Sequence, residues 1–345
     1  MVAGSLDPLM KVPIIGAPLS GGASTPALAA AVCEAGGFGF VAAGYKSVAD
    51  VARDIAEVRT KTQRPFGVNI FFPTRLEADE EAISAYTELL APEAERYGVA
   101  VGAARWSDDE WEGKLELVAR ERPAVVSFTF GCPEAQVVSW LRGCDIGVWC
   151  TVTTPGEAQT AAAAGVDVLV VQGGEAGGHQ SSFDDGDAMP IGLLSLLQLV
   201  RRVTDLPLIA AGGIASGAGV AAAVAAGASA AQVGSALMLT PEAGTSEAHR
   251  AAFAADAPTA LTRAFTGRRA RGIVNRFMHD HDAAAPKGYP QVHHLTAPLR
   301  AAARAAGDAG GINLWAGQAY RLAEATPAAE LVEHWGAEVR AARRR

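Results

Sequence analysis

Residues 166–182 read "VDVLVVQGGEAGGHQSS", an apolar run followed by a loop that holds four glycines and His179. A nearly continuous apolar run is typical of a strand buried on both faces, as in a parallel sheet covered by helices. Glycine adopts backbone angles that other residues avoid and lets a ligand come close to the main chain. The segment therefore predicts a parallel strand whose terminal loop wraps a ligand and directs His179 towards it. A loose turn with a solvated histidine is the alternative.

Seven further apolar runs alternate with Ala-rich stretches that carry helix-capping residues. Eight strand–helix units favour the α/β class and a closed (β/α)8 (TIM) barrel. Such a barrel takes about 250 residues, so we assign residues 10–240 to a barrel core with the cofactor site. Residues 241–335 lack strand signals and are predicted to form a helical and loop extension that closes over the carboxyl ends of the strands, with a last helix that could complete the barrel. The eight runs begin at Val12, Gly37, Phe66, Ala124, Ile146, Val166, Leu206 and Ala230.

An open, doubly wound sheet of the Rossmann type is the competing architecture. It requires a GxGxxG turn after the first strand, whereas the sequence there is "GAPLSGG", with a different spacing. Residues 172–179 match neither that turn nor the GxxxxGKS/T phosphate loop. The absence of both fingerprints favours the barrel.

Composition and charge restrict the class of protein. The 345 residues are 50% hydrophobic and 19% charged, as in a soluble globular enzyme. With 29 Lys and Arg against 37 Asp and Glu, the net charge is -8, the wrong sign for a nucleic-acid partner. No secretory or membrane signal is visible, so we expect no membrane contact and a cytoplasmic location.

The cysteines and the histidine-rich stretches could each suggest a metal site, but we predict no metal site in this protein. The four cysteines (Cys33, Cys132, Cys144 and Cys150) show no CxxC spacing and are expected to be reduced, apolar thiols. The histidine-rich stretches are "FMHDHD" at residues 277–282 and "VHH" at residues 292–294. Ligands spaced in this way in an irregular segment rarely converge on one ion. We therefore assign both stretches to a polar lid surface.

The loops after the seventh and eighth strands are where such barrels commonly bind phosphate. "AAGGIASG" places Gly212 and Gly213 before a helix start, and "QVGSALM" offers the amides and hydroxyl of Gly234 and Ser235. Backbone N–H groups and a helix dipole can hold a phosphate dianion without Lys or Arg. Tight packing of small residues is the alternative for each loop taken alone. Both loops together predict a phosphate site.

Amide side chains mark two other strand ends. Asn69 ends the third predicted strand and Gln172 ends the sixth. Both would be unfavourable there without hydrogen bonds, and a purely structural hydrogen bond is the alternative for each. Together with the phosphate site and the glycines beside His179, they predict a pocket for a flat phosphorylated cofactor. Flavin mononucleotide (FMN) fits that description.

Nine motifs occur in order over residues 10–325: "PIIGAPL", "GGFGFV", "FGVNIF", "VSFTFGCP", "QGGEAGGH", "AAGGI", "QVGSALM", "RAFTGRRARGIVNRF" and "LWAGQAYRL". Together they resemble the class I nitronate monooxygenases, formerly grouped as 2-nitropropane dioxygenases. The specific combination is "EAGGH" after the sixth strand with "SFTFG" after the fourth.

Two positions depart from the family pattern. Leu19 stands where a Met is common, and "HQSS" follows the histidine where a Gly usually comes soon after, which bears on loop shape and substrate preference.

The resemblance implies an enzyme that oxidises alkyl nitronates, such as propionate 3-nitronate, with FMN and dioxygen to a carbonyl compound and nitrite, without a nicotinamide. His179 would be the active-site histidine. It would bind the anionic nitro oxygens as a donor, and would act as a base only on a neutral nitroalkane. The family pattern would also bring Trp315 and Gln318 in "LWAGQAY" back over the cofactor, and a Trp that packs a helix is the alternative. The candidate cofactor-binding residues are Asn69, Gln172, Gly177, Gly178, Gly212, Gly213, Gln232, Val233, Gly234 and Ser235.

Two other functions share parts of this pattern. An FMN-dependent enoyl-acyl-carrier-protein reductase would use the same barrel and phosphate site with NAD(P)H, but "FTFGCP" replaces its "GAGNP"-like turn. A phosphosugar-binding barrel without flavin would place Lys or paired acids at strand ends, and these ends are poor in both. A yellow protein would favour flavin. The expected partners are a small nitronate and dioxygen, and the expected state is a monomer or homodimer.

Overall fold

The computed structural model describes Leu6, residues 8–74, residues 79–342 and Arg344. Eleven short strands alternate with thirteen helices in these ranges. In chain order the strands are β1 (Ile14–Gly16), β2 (Phe40–Ala42), β3 (Gly67–Phe71), β4 (Val125–Thr129), β5 (Gly147–Val152), β6 (Val168–Gln172), β7 (Gly178–His179), β8 (Leu208–Ala211), β9 (Ala230–Val233), β10 (Thr259–Thr262) and β11 (Ala270–Ile273).

Eight of these strands form parallel pairs in the order β1-β9-β8-β6-β5-β4-β3-β2. The ring closes between β1 and the segment before β2. There Gly16 N donates to Phe38 O at 2.9 Å, and Phe38 N donates to Ile14 O at 3.0 Å. The predicted (β/α)8 barrel is confirmed, and each of the eight predicted runs contains one barrel strand.

Aromatic rings fill the barrel interior. The ring centroids of Phe38, Phe40 and Trp149 lie 5.2 to 5.6 Å apart. Ile15 and Ile209 pack with them, and all five side chains are buried. Because the interior is packed, a ligand can reach the barrel only at its ends, and the strand ends that carry the glycine loops are the place for a site.

The helices cover the outside of the barrel and build a second layer above it. Several begin where the sequence predicts, with a hydroxyl that accepts a backbone N–H of the first turn, as Thr25, Thr154 and Ser216 do. No helix in the described ranges is long and apolar enough to cross a membrane. The helices are α1 (Pro26–Glu34), α2 (Val48–Lys61), α3 (Glu80–Leu89), α4 (Ala91–Tyr97), α5 (Trp111–Glu121), α6 (Ala135–Gly143), α7 (Pro155–Ala164), α8 (Leu193–Arg201), α9 (Gly217–Ala225), α10 (Glu247–Ala252), α11 (Arg276–His281), α12 (Gln291–Ala305) and α13 (Ala328–Ala342).

The last helix, α13, packs against α9 and α1 on the outside of the barrel. It buries Leu331, Val332 and Trp335. Gly217 at the start of α9 allows this approach, because a Cβ at that position would lie 2.8 Å from Cα of Trp335. In the ring of outer helices, α13 takes the place of a helix that would come directly after β9. It begins about ninety residues after β9, behind the whole second layer.

The lid, defined here as residues 79–102 and 241–326, forms this second layer, and its later segment lines a cavity together with residues at the carboxyl ends of barrel strands. Its core joins Tyr86 of α3 to Phe265, Phe277 of α11 and Leu295 of α12. The Tyr86 hydroxyl donates to the carbonyl of Ala264 at 2.7 Å. The lid thus combines the segment after β9 with an insertion between β3 and β4.

A small antiparallel sheet joins this lid to the barrel. Its strand order is β10-β11-β7, and His179 of β7 pairs with Ala270 of β11. The expectation that residues after 240 contain no strand is therefore wrong. The sequences of β10 and β11, "TALT" and "ARGI", lack a run of β-branched or aromatic residues, and tertiary pairing outweighs their weak local preference.

Candidate active site

A cavity of about 610 Å³ lies between the strand ends and the lid. This volume is within the usual range for small-molecule sites. Val233 is the one candidate residue that does not line it, because its side chain packs in the outer core between strands and helices. The candidate residues that line the cavity are Asn69, Gln172, Gly177, Gly178, His179, Gly212, Gly213, Gln232, Gly234 and Ser235.

The loops after β8 and β9 form one end of the cavity, called here the cofactor end. Gly212 and Gly213 both have left-handed backbone angles, with φ of 101° and 71°. Ser235 begins a short 3-10 helix, and its Oγ accepts a hydrogen bond from Gly317 N at 2.8 Å. Because Oγ is the acceptor there, its own proton is available to a ligand.

Asn69 at the end of β3 is buried and tied to the neighbouring strand. Its side-chain amide Nδ2 donates to Oγ of Ser127 at 2.9 Å and to Oγ1 of Thr129 at 3.0 Å. The structural hydrogen bond considered for this residue is therefore present, while the side chain also lines the cavity. Asn69 holds β4 in place at the cavity wall.

Gln172 at the end of β6 holds the loop that carries His179. Its Nε2 donates to the carbonyl of His179 at 3.2 Å, and its Oε1 accepts from Ser181 N at 2.8 Å. Both polar atoms of the amide are thus used by the loop backbone. The geometry supports a positioning role for this residue at the site.

The glycine-rich loop is explained by contact with the lid. A Cβ at Gly177 would lie 2.4 Å from Gly317 N, and Gly178 has φ of 73°. The carboxylate of Glu175 accepts the N–H of Leu193 at the start of α8 at 3.0 Å. Gly177 therefore faces the backbone of the lid, and the loop is shaped by packing as well as by any ligand.

His179 sits in the cavity wall with one ring nitrogen engaged. Its Nε2 lies 3.0 Å from Oγ1 of Thr266. The rings of Phe130, Tyr289 and Trp315 surround it, with centroids 5.5 to 5.7 Å away. Enclosure of the ring, and then the positive charges of Arg268 and Arg300, lower the pKa of His179 to about 3. The imidazole is neutral at physiological pH, and Nδ1 is the nitrogen left for a ligand.

Arg268 fixes the residues that follow the histidine. This buried side chain donates to the carbonyls of Ser182 and Gln180, and its guanidinium carbon lies 4.2 Å from the ring centroid of Phe130. The "HQSS" sequence is therefore held by contacts to its backbone. Phe130 itself has φ of 77°, a strained value for a residue with a side chain.

Sequence reasoning missed the lid residues that line the other end of the cavity, called here the substrate end. His293 of α12 stacks on Tyr45 with ring centroids 4.1 Å apart and planes 5° from parallel. Arg300 of α12 lies beside them. The sequence marks His293 only as part of the histidine-rich stretch at residues 292–294 and marks Arg300 by no local pattern, since both lie far in sequence from His179. Trp315, which the family resemblance placed over the cofactor, does line the cavity, whereas Gln318 is not among the lining residues.

The histidine-rich stretches are only partly on the surface, so their assignment to a polar lid surface needs correction. His279 is exposed, but His281 is buried against Phe277 and His293 lines the cavity. The apolar residues of α11 and α12 turn these histidines inwards. Within the described ranges, no group of three or more His, Cys, Asp or Glu could hold a metal ion, and the four cysteines are free thiols.

The fold and the cavity place this chain among the (β/α)8-barrel proteins, with a candidate site at the carboxyl ends of the strands. A sequence profile described as nitronate monooxygenase matches residues 5–338. The chain belongs to the nitronate monooxygenase family, and it is an oxidoreductase.

Individual relatives agree with this assignment over nearly their whole length. The chain is 42% identical to the nitronate monooxygenase of Pseudomonas aeruginosa, covering 96% of this chain and 97% of that protein. It is 41% identical to the nitronate monooxygenase of Paraburkholderia phytofirmans, covering 95% and 93%. Among solved structures, nitroalkane oxidase from Streptomyces ansochromogenes has a TM-score of 0.96 and 48% identity over 98% of both chains.

Proposed function

We propose that this chain oxidises alkyl nitronates, such as propionate 3-nitronate, with FMN and dioxygen to a carbonyl compound and nitrite. The observation that carries the proposal is the position of His179 in the cavity wall, with Nε2 3.0 Å from Oγ1 of Thr266 and the other ring nitrogen left for a ligand. A nitronate is already a deprotonated carbon acid, so its oxidation requires no strong base. The family and the named relatives support the same reaction class.

The donor set at the cofactor end fits FMN. Gly212, Gly213 and Gly234 have no side chains to occupy the two loops where a phosphate is expected, and the Ser235 hydroxyl keeps a proton to donate. Gln232 and Asn69 add amide groups along the wall. When bound, FMN would supply the electron transfer, while the protein supplies position and electrostatics. Flavin released by heat is expected to run as FMN on a chromatograph. FAD would contradict this site.

His179 and Thr266 together can present either a donor or an acceptor to a substrate. The Thr266 hydroxyl donates to the carbonyl of Arg268 at 3.1 Å. In that state Nε2 of His179 carries the ring proton and Nδ1 has a free lone pair. If the hydroxyl instead turns to Nε2, Nδ1 carries the proton and can donate to an anionic nitro oxygen. Nitronates use the second state in this proposal.

Neutral nitroalkanes are the second candidate substrate class. The chain is 48% identical to a nitroalkane oxidase from Streptomyces ansochromogenes. Oxidation of a neutral nitroalkane starts with removal of a carbon-bound proton, and the lone pair of His179 Nδ1 would be the base. A pKa near 3 makes the imidazole a weak base. We therefore expect nitronates to be oxidised faster than the corresponding nitroalkanes.

Oxygen uptake and nitrite release with propionate 3-nitronate test the proposal directly. The same sample is assayed for NADH oxidation. We expect a yellow protein, fast nitrite release and little NADH turnover. Fast NADH turnover without nitrite would favour the enoyl-acyl-carrier-protein reductase instead. A protein that stays colourless after FMN is added would favour a phosphosugar-binding barrel.

The remaining expectations concern partners and location. We infer small-molecule partners, a nitronate and dioxygen, from the size of the cavity and from the family. A monomer or homodimer and a cytoplasmic location stay predictions from the sequence. Size-exclusion chromatography and fractionation of the native cells would test them.

A further inference from the structure

A guanidinium without an acidic partner lines the substrate end of the cavity. Arg300 is only 8% exposed, and its neighbours in the cavity wall include Tyr45 and His293. Among the described residues it makes no ion pair with Asp or Glu; its bonds go to Thr296 and His293. A buried charge without a counter-charge is strongly unfavourable for folding. Such a charge is retained where a ligand of opposite sign supplies the partner.

The guanidinium is held rigidly by its own helix. Nε donates to Oγ1 of Thr296 at 3.0 Å, and Nη2 donates to the carbonyl of His293 at 2.8 Å. Oγ1 of Thr296 donates in turn to the carbonyl of Phe265. Two of the three nitrogens are therefore occupied, and Nη1 is the one left for a ligand. A fixed guanidinium loses little freedom on binding, which suits recognition of a planar anion.

The surroundings of Arg300 are electropositive although the chain as a whole is acidic. Arg304, one turn later on α12, repels the charge of Arg300, and both the phenol of Tyr45 and that of Tyr289 are neutral neighbours. Burial lowers the pKa of Arg300 to about 10, so the side chain stays cationic at neutral pH. His179 is neutral and cannot balance an anion. An anionic substrate would therefore find its counter-charge at Arg300.

We propose that Arg300 binds the anionic oxygens of the substrate and makes the site prefer a nitronate anion over the neutral nitroalkane. The assignment of substrate class rests on the proposed function, whereas the anion site itself can be tested without turnover. Arg300 belongs to the lid, and the phosphate loops belong to β8 and β9. Its loss should therefore leave the cofactor in place.

Calorimetric titration with nitrate, a planar oxyanion of similar shape, tests the anion site on the purified native protein. Arg300→Met removes the charge and keeps an apolar side chain of similar length. We expect nitrate affinity to fall about 10- to 100-fold, at low and at high ionic strength, because buried pairs are poorly screened.

Arg304→Met is the matched control, since Arg304 lines the exposed mouth of the same cavity. It should cost about threefold or less, and only at low salt. Native nitrate affinity in Arg300→Met, or no nitrate binding by the native protein, would overturn the proposal.

Thermal unfolding and steady-state kinetics separate binding from a structural role. If Arg300 serves a ligand, Arg300→Met should unfold at the same or a higher temperature and keep its flavin. Its kcat/KM ratio for ethyl nitronate over nitroethane should fall about tenfold or more, with the loss mainly in KM for the nitronate. A lower unfolding temperature with an unchanged ratio, or loss of flavin, would assign Arg300 to the fold or to the cofactor and overturn the proposal. Nitrate binding through Arg300 without nitrite release from any nitronate would contradict the proposed function and leave the anion site standing.

Discussion

The two ends of the cavity are built in different ways. The cofactor end consists of consecutive residues in two strand-end loops, with Gly212 and Gly213 after β8 and Gly234 and Ser235 after β9. The substrate end consists of single side chains, among them His179 and Arg300, that come from distant parts of the chain. One end is mainly backbone and small residues; the other depends on long side chains held by the lid. Candidate residues for binding phosphate can therefore lie close together in the sequence, whereas those for binding substrate come together only through tertiary structure.

The largest effect is expected from a bulky residue at the cofactor end. In Gly234→Leu, the side chain would occupy the space expected for the phosphate, and even a Cβ there would lie 3.3 Å from Cδ2 of Leu19. We expect folded protein with at least about tenfold less flavin and proportionally less turnover, because overpacking displaces the ligand. Flavin absorbance and circular dichroism measure both. Gly143→Leu is the control, since a Cβ there meets nothing within 4 Å. Normal flavin content in Gly234→Leu would move the phosphate away from the β9 loop.

A change at the substrate end should separate activity from cofactor binding. His179→Asn is expected to keep its flavin and to lose nitronate turnover by roughly 10²-fold or more, the usual effect of losing one positioned polar group. Neutral nitroalkanes, which need a base, should lose more. His279→Asn, at an exposed position, is the control. Wild-type turnover in His179→Asn would show that the histidine serves only the structure of the cavity wall.

Gln172 is a candidate both for binding the cofactor and for positioning the loop that carries His179. A variant at this position distinguishes the two roles. Gln172→Leu removes the bonds to the backbone of His179 and Ser181. At about 1 kcal/mol for each bond, the two bonds together are worth about 2 kcal/mol, so kcat for the nitronate should fall roughly 30-fold with flavin retained. Gln172→Glu keeps the acceptor for Ser181, and its kcat should fall less. Gln198→Leu on the exposed face of α8 is the control. Loss of flavin would instead make Gln172 a cofactor contact.

The smallest effect is expected from pH. Because enclosure lowers the pKa of His179 to about 3, its ring is already deprotonated throughout the range in which an ordinary histidine titrates, near 6.5. The value of kcat/KM for the nitronate, which reports the free enzyme, should therefore change less than about twofold between pH 5.5 and 7.5. Initial rates measured before the nitronate reprotonates provide the test. A change in kcat/KM in either direction with a midpoint near 6.5 would show that His179 is open to solvent and not enclosed.

The barrel could be predicted because its information is local. Continuous apolar runs indicate buried parallel strands, and capping hydroxyls such as those of Thr25 and Ser216 mark helix starts. Strands β10 and β11 of the small antiparallel sheet could not be predicted from local sequence patterns. β11 contains Arg271, which donates to the carbonyl of Gly174 in the glycine-rich loop at 2.9 Å, and its strand conformation depends on pairing with β7 and β10.

The candidate site, like the barrel, was predictable only where it depends on local sequence. The glycines and amides of the strand ends follow from the barrel once its strands are assigned, although Val233 faces the outer core because side chains alternate along a strand. The partners of His179 are different. Thr266 is 87 residues away from it in sequence, and only the folded lid shows that the two meet. Arg300 was missed for the same reason, since an arginine on an amphipathic helix is expected to face solvent.

The place of α13 in the chain has a consequence for biosynthesis. The groove between α9 and α1 is filled by a helix that the ribosome makes after the whole lid. The nascent chain therefore has its cavity-forming segments available before the ring of outer helices can be completed. During that interval the apolar surface later covered by Leu331, Val332 and Trp335 is open, and exposed apolar surface of this kind is prone to aggregation until it is covered.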